Sequence, residues 1–209
     1  MNSDGEVLTR FRPTSVEVVQ AAQARASLAN DLHARLKKAA DDAAAKAGLA
    51  ILDALTSRRP PTLEQVDALA QTEGLDPRVA KLYQEGREAF VQKLNSGRVR
   101  SAMTRAFSKV RKGQNREEAF KQRDAELLEL YREGVAFPAT NRMAANYYSA
   151  VVGGALDAGD TATAKAAFAI AESALARTIS SLKDGSRRKT QLEQQLAALK
   201  QRLEDAKWH

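Results

Sequence analysis

The chain has 209 residues, of which 33 are Lys or Arg, 26 are Asp or Glu, 2 are His and none is Cys, so its net charge at pH 7 is +7. The lack of Cys excludes a disulfide scaffold, a thiolate zinc site and a cysteine nucleophile. Because two His are too few for a His-rich metal site or a typical catalytic triad, we predict a protein that is not an enzyme, with no catalytic residue, metal or cofactor.

The N-terminal residues 1–13 show no helical periodicity and are predicted to be a flexible arm. They have neither the basic segment nor the apolar segment of a secretory signal peptide. The longest stretch without charge, Met143–Leu156, has 14 residues, which is fewer than the roughly 20 that cross a bilayer. These features predict a protein of the cytoplasm or of a macromolecular assembly.

A single long, Ala-rich helix is predicted over residues 14–59. A capping-box pattern at Thr14–Glu17 begins this helix, and Pro60 ends it. Apolar side chains recur along it every three or four residues, which is a helical period. Because so long a helix needs a neighbour along most of its length, we predict that its leucines contact another helix or another copy of the chain. The leucines assigned to this contact are Leu28, Leu32 and Leu36.

A second helical region is predicted over residues 62–134. Thr62–Gln65 is a capping box that opens a short helix, and Pro77 stands at the first position of the next helix. Residues 95–97 are predicted to end that helix, and a basic helix follows over residues 98–112. Two helices joined by a short turn also fit the geometry of a helix-turn-helix, although an ordinary helical hairpin is the commoner structure.

The C-terminal region, residues 141–209, is predicted to be a helical hairpin followed by a leucine-rich helix. Gly159 and Asp160 form the turn of the hairpin, as a C-terminal glycine and the next N-cap. The last helix has four leucines at spacings of 4, 3 and 4, a heptad-like pattern that favours a partner helix or a short coiled coil. These leucines are Leu192, Leu196, Leu199 and Leu203.

The first helix of that hairpin contains a pair of adjacent tyrosines and a pair of adjacent glycines, and each pair supports a further prediction. Tyr147 and Tyr148 diverge by about 100° on a helix, so we expect one in the core and one at its rim. Gly153 and Gly154 lie within a helical pattern and not after a strand. This position favours a close helix contact or a bend over a phosphate-binding loop.

The fold class that follows from these elements is all-α. No segment alternates apolar and polar residues as a half-buried strand does. We predict an elongated multi-helix bundle with one long N-terminal helix and a short heptad-like C-terminal helix.

The positive charge is confined to one segment. Residues 98–123 contain 9 basic and 2 acidic side chains, whereas the segments before and after it are each neutral. On a helix that continues past Gly113, five of these cations lie within about 40° of one line. We call these five the basic stripe: Arg98, Arg105, Lys109, Lys112 and Arg116. Two further cations, Arg100 and Arg111, lie on the far side.

Three interpretations of these seven cations compete. They can form a solvated face, or one neutralised by acidic groups of the same chain or of another subunit. They can instead contact a nucleic-acid backbone, in a way that is independent of sequence and sensitive to salt. An anionic membrane surface is the least favoured partner, because Phe107 is the only aromatic residue beside them.

The predicted function is that of a non-enzymatic structural or assembly protein. It would be a homo-oligomer or bind a helical protein partner, and its seven cations would contact nucleic acid or another polyanion. A component of a virion, or of a similar assembly that contains nucleic acid, fits these features. The alternative is a dedicated, sequence-nonspecific DNA- or RNA-binding protein. A third candidate is a helical adaptor whose basic stripe docks an acidic protein partner.

Overall fold

The computed structural model describes residues 16–57 and 59–206. Over these residues the protein is all-α, with eight helices and no β-strand, which confirms the predicted fold class. The predicted flexible arm 1–13 and the predicted start of the first helix at Thr14 lie outside the described residues. The helices are α1 (Val16–Lys38), α2 (Ala43–Thr56), α3 (Leu63–Ala70), α4 (Pro77–Arg111), α5 (Arg116–Arg132), α6 (Ala144–Asp157), α7 (Thr161–Ser180) and α8 (Arg187–Asp205).

The chain divides into two compact units, and the boundary lies within α4. Unit 1 extends to Leu94, and unit 2 begins at Asn95. Each unit has its own cluster of buried apolar side chains. The boundary therefore falls inside the region 62–134 that the sequence pattern predicted as one.

The prediction of one long N-terminal helix is wrong, because α1 ends at Lys38 and α2 begins at Ala43. Asp42 is the N-cap of α2, where its carboxylate accepts a hydrogen bond of 2.8 Å from the Ala45 N–H. The Arg35 guanidinium donates two more hydrogen bonds to the same carboxylate, at 2.9 and 3.2 Å. The Ala45 N–H, and after it Arg35, lower the pKa of Asp42. The longest helix is α4, with 35 residues.

The core of unit 1 combines side chains of α1, α2, α3 and the first part of α4, and within it α2 packs against α1. Gly48 allows this contact, because a Cβ atom at that position would lie 3.0 Å from Leu32 Cδ1. The predicted capping box at the start of α3 is confirmed, since the Thr62 side chain and the Gln65 side chain each accept the other residue's backbone N–H. Fully or almost fully buried side chains of this core are Leu28, Leu32, Ile51, Val66, Val79, Tyr83 and Phe90.

The predicted helix end at residues 95–97 is also wrong. Pro77 begins α4 as expected, but the helix continues through Gly97 to Arg111. A mid-helix glycine costs about 1 kcal/mol relative to alanine, which a helix of this length tolerates when its far half is anchored. Val99 and Ala102, both buried in the core of unit 2, provide that anchor. The basic segment therefore begins inside a continuous helix, and no helix-turn-helix is present at this point.

Helix α6 is the centre of unit 2 and is buried on nearly all sides. It packs against α5, α7 and α8. The expectation that one of its two tyrosines lies at the rim is wrong, because Tyr147 and Tyr148 are 0 % and 1 % exposed. Their hydroxyl groups donate to backbone carbonyls of the preceding loop, those of Val135 at 2.8 Å and Phe137 at 3.0 Å. A helix enclosed in this way buries more than one face.

The glycine pair in α6 confirms the predicted close helix contact. A Cβ atom at Gly154 would lie 2.5 Å from the backbone carbonyl oxygen of Asp124 in α5. At Gly153 the nearest atom to such a Cβ is Oδ2 of the Asp124 side chain, at 3.0 Å. The missing side chains thus let the backbone of α6 approach α5, which carries part of the basic segment.

The leucines predicted for self-association lie in or against the cores of the chain itself. In unit 1, Leu28 and Leu32 are buried and Leu36 packs beside them. In unit 2, α8 places four leucines on the core, two of them buried and two half-buried. These are Leu199 and Leu203, and Leu192 and Leu196, respectively. Four of the seven side chains are thus buried within the chain itself, and three are half-buried.

Candidate polyanion-binding surface

The basic segment folds as a helical hairpin, formed by the last part of α4 and by α5. Gly113, with φ of +92°, closes α4. Its backbone N–H donates to the Val110 carbonyl oxygen at 3.0 Å, and the backbone N–H of Gln114 donates to the Lys109 carbonyl oxygen at 3.1 Å. This pair of hydrogen bonds is the Schellman motif. Asn115 then caps α5 by accepting from the Glu118 N–H at 3.2 Å. We call residues 95–132 the basic hairpin.

The alignment of all five cations of the basic stripe required a helix that continues past Gly113, and the helix ends there instead. Arg116 does not extend the basic stripe along α4, because it stands in the first turn of α5. Arg111 and Lys112 thus stand before the turn and Arg116 directly after it.

Helix α5 places acidic and polar side chains opposite the rest of the basic stripe. Arg98 forms an ion pair with Glu133 at 2.5 Å, and Arg105 forms one with Glu126. The Lys109 ammonium donates to the Gln122 side-chain oxygen at 2.6 Å.

Residue numbers in these three contacts rise along α4 as they fall along α5, as expected for antiparallel neighbours. All four charged side chains of the two ion pairs are between 40 % and 54 % exposed. Such surface pairs contribute about 0–1 kcal/mol to stability. Their main effect here is that a carboxylate offsets the field of each paired arginine.

The remaining cations have no acidic partner in the residues that the structure describes. Arg100, Arg111 and Lys112 are exposed, and their side chains form no ion pair or hydrogen bond within this part of the chain. The Arg116 guanidinium lies over the Phe120 ring, 5.6 Å from its centroid. Beside them, Lys121 pairs with Glu117 at 3.2 Å, so this pair adds no net charge.

An aromatic pair lies between the two helices of the hairpin. The rings of Phe107 and Phe120 meet edge to face, with centroids 5.4 Å apart. The Arg123 guanidinium lies 4.4 Å from the Phe120 centroid and pairs with Asp124 at 2.5 Å. Burial raises the pKa of the Asp124 carboxyl, and Arg123 partly opposes that rise. Asp124 thus offsets the charge of Arg123 but not that of Arg116.

The acidic partners on α5 were not identified from the sequence. Glu126 and Glu133 are seven residues apart, as are Arg98 and Arg105, and this matched spacing could have indicated the pairing. The turn at Gly113 sets the register that brings the two pairs together. With this pairing, the cations of the basic stripe and its far side that have no acidic partner among the described residues are Arg100, Lys109, Arg111, Lys112 and Arg116.

In the part of the chain that the structure describes, no helix is both long and apolar enough to cross a membrane. No group of three or more His, Cys, Asp or Glu in the same residues is placed to hold a metal ion. In comparisons with known proteins, the chain matches no family model, no curated protein and no solved structure.

Proposed function

We propose that this chain is a non-enzymatic component of an assembly, and that the end of its basic hairpin contacts a nucleic-acid backbone or a similar polyanion. One observation carries this proposal. Arg111 and Lys112 before the turn and Arg116 after it have no acidic partner among the described residues, whereas Arg98 and Arg105 each have one. Close to this turn, the three cations outnumber the one carboxylate that pairs with no lysine or arginine, Glu118, and a polyanion would relieve the repulsion among them.

The chemistry of these side chains favours phosphate over base recognition. Arginine and lysine bind phosphate oxygens through charge-assisted hydrogen bonds, and binding releases counterions from the nucleic acid. Reading of bases needs a helix or a β-ribbon inserted into the major groove, with side chains such as Arg, Asn or Gln directed at the base edges. The hairpin end offers a turn with long cationic side chains, so the expected binding is independent of sequence.

Replacing Arg111, Lys112 and Arg116 together by Gln is expected to weaken binding to a 20-base-pair DNA duplex roughly 10- to 100-fold at 0.1 M salt, because three phosphate contacts are lost. Fluorescence anisotropy of a labelled duplex measures this change. The same loss is expected for inorganic polyphosphate, in a competition assay.

A matched control removes the same charge elsewhere. Lys38, Lys46 and Arg59 are exposed cations of unit 1 whose side chains form no ion pair with the described residues. Their replacement by Gln is expected to leave the affinity within about twofold. Equal losses in the two triple variants would show that only net charge matters, and unchanged affinity in the hairpin variant would contradict the proposal.

The assembly part of the proposal requires self-association. Because the seven leucines predicted for that contact lie in or against the two cores, the association would use other surfaces of the chain. Light scattering over a hundredfold range of concentration is expected to show a mass that rises above 22.7 kDa. A constant monomer mass over that range would contradict the assembly role and leave a monomeric polyanion-binding protein.

A further inference from the structure

Phe107 is an exposed aromatic side chain beside the unpaired cations. It is 54 % exposed, and the other large exposed apolar side chains of the described residues, Val16 and Val18, belong to unit 1. The edge-to-face contact with Phe120 can cover at most one face of the Phe107 ring. With 54 % of its surface exposed, the Phe107 side chain is accessible to a partner.

The exposed face of α4 around this ring carries arginine on both sides. Arg100, Phe107 and Arg111 are seven and four residues apart, so they share one side of the helix. Arg100 lies about 10 Å from Phe107 along the helix axis and Arg111 about 6 Å in the other direction. All three are exposed, as is Thr104 between them. This row lies on the side of α4 opposite Arg98, Arg105 and Lys109, and it shares Arg111 with the end of the hairpin.

We propose that Phe107 stacks on an unpaired base and that the hairpin end binds single-stranded nucleic acid in preference to duplex. The inference depends on the proposed function, since it names the polyanion for the same surface. A single strand combines phosphates for the arginines with open base faces for the ring. A duplex has the same phosphates but keeps its base faces inside the stack.

The charge and the apolar area favour this occupant over an anionic membrane. Interfacial helices bury a broad apolar face with several large side chains. Here the exposed face of α4 has one aromatic ring between two arginines. A ring so placed suits one base, because base stacking on a single aromatic side chain is a recurrent means of binding a strand.

The test uses the full-length chain, with Phe107 replaced by Ala, Leu or Tyr, and three probes: a 20-nucleotide thymidine oligomer, the matching duplex and inorganic polyphosphate. Phe107→Ala is expected to weaken oligomer binding about tenfold and to leave duplex and polyphosphate binding unchanged. Phe107→Tyr is expected to retain oligomer binding, since it keeps the ring. Phe107→Leu is expected to weaken oligomer binding as much as Phe107→Ala does, because leucine is apolar but has no aromatic ring on which a base can stack. Circular dichroism confirms that each variant is folded.

Three results would overturn the inference while leaving the proposed function intact. One is an equal loss for all three probes in Phe107→Ala, and another is full oligomer binding by Phe107→Leu. The third comes from a fourth probe, phosphatidylserine vesicles: a loss in Phe107→Ala for these vesicles alone would assign the ring to a lipid surface. Failure of the unaltered chain to bind any of the three probes would instead contradict the proposed function itself.

Discussion

The replacement of Gly154 by Ala is expected to lower the free energy of unfolding of unit 2 by about 3 kcal/mol, as overpacking of a close contact does. The added Cβ atom would lie 2.5 Å from the carbonyl oxygen and 2.8 Å from the carbonyl carbon of Asp124. Backbone atoms cannot rotate away, so α5 and α6 would have to separate. Since α6 is the central helix, its displacement disturbs most of the core. Urea unfolding followed by the near-ultraviolet circular dichroism of the tyrosines measures this loss.

Two other glycines serve as controls for the change in helix propensity. At Gly97 an added Cβ would meet nothing within 4 Å. Gly97→Ala is therefore expected to stabilise the helix by about 0.5–1 kcal/mol. At Gly153 the nearest atoms belong to the Asp124 and Arg202 side chains, which can move, so a smaller loss than at Gly154 is expected. A Gly154→Ala variant as stable as Gly97→Ala would show that α5 and α6 are not in this close contact.

The second large loss of stability is expected from a substitution in the core of unit 1. Leu32 is 0 % exposed, so Leu32→Ala is expected to lower the free energy of unfolding by about 3 kcal/mol through lost burial and a cavity. Gly48→Ala alone is expected to raise the free energy of unfolding only slightly, because the new Cβ would lie 3.0 Å from Leu32 Cδ1. With Leu32 already truncated, the same change fills part of the cavity and adds about 1 kcal/mol of helix propensity.

A double-mutant cycle tests this coupling. The effect of Gly48→Ala on urea unfolding is expected to be more favourable by about 1 kcal/mol or more in the Leu32→Ala background. If the effects of the two substitutions on the free energy of unfolding simply added, Leu32 and Gly48 would not be in contact. If Leu32 instead belonged to an interface between chains, truncation would lower the mass measured by light scattering and leave the stability of the monomer unchanged.

Local signals in the sequence were enough for the fold class and for several helix ends. The capping box at Thr62, the proline at the start of α4 and the turn at Gly159 depend on a few neighbouring residues, and the structure has all three. The end of α1 was not recognisable in this way. Residues 39–45 are five alanines and two aspartates, and alanine favours a continuous helix. Asp42 acts as a cap because α2 packs back on Leu32, which is a tertiary effect.

The candidate surface was partly predictable. Composition alone located the basic segment, because charge needs no structure to be counted. The loss of Arg98 and Arg105 to ion pairs depends on the register of α5 against α4, which the turn at Gly113 sets. The burial of both Tyr147 and Tyr148 likewise depends on the several elements that surround α6. A single helical period cannot report that enclosure.

The salt dependence of duplex binding tests the contact between the hairpin end and a polyanion most directly. The logarithm of the binding constant falls linearly with the logarithm of salt concentration, with a slope of about 0.9 for each neutralised phosphate. Replacing Arg111, Lys112 and Arg116 by Gln is predicted to reduce the magnitude of this slope by about 2 to 3, at roughly 1 per lost contact. The matched change at Lys38, Lys46 and Arg59 is predicted to leave it unaltered. A slope that is the same in the hairpin variant and in the unaltered chain would contradict phosphate contact at this surface.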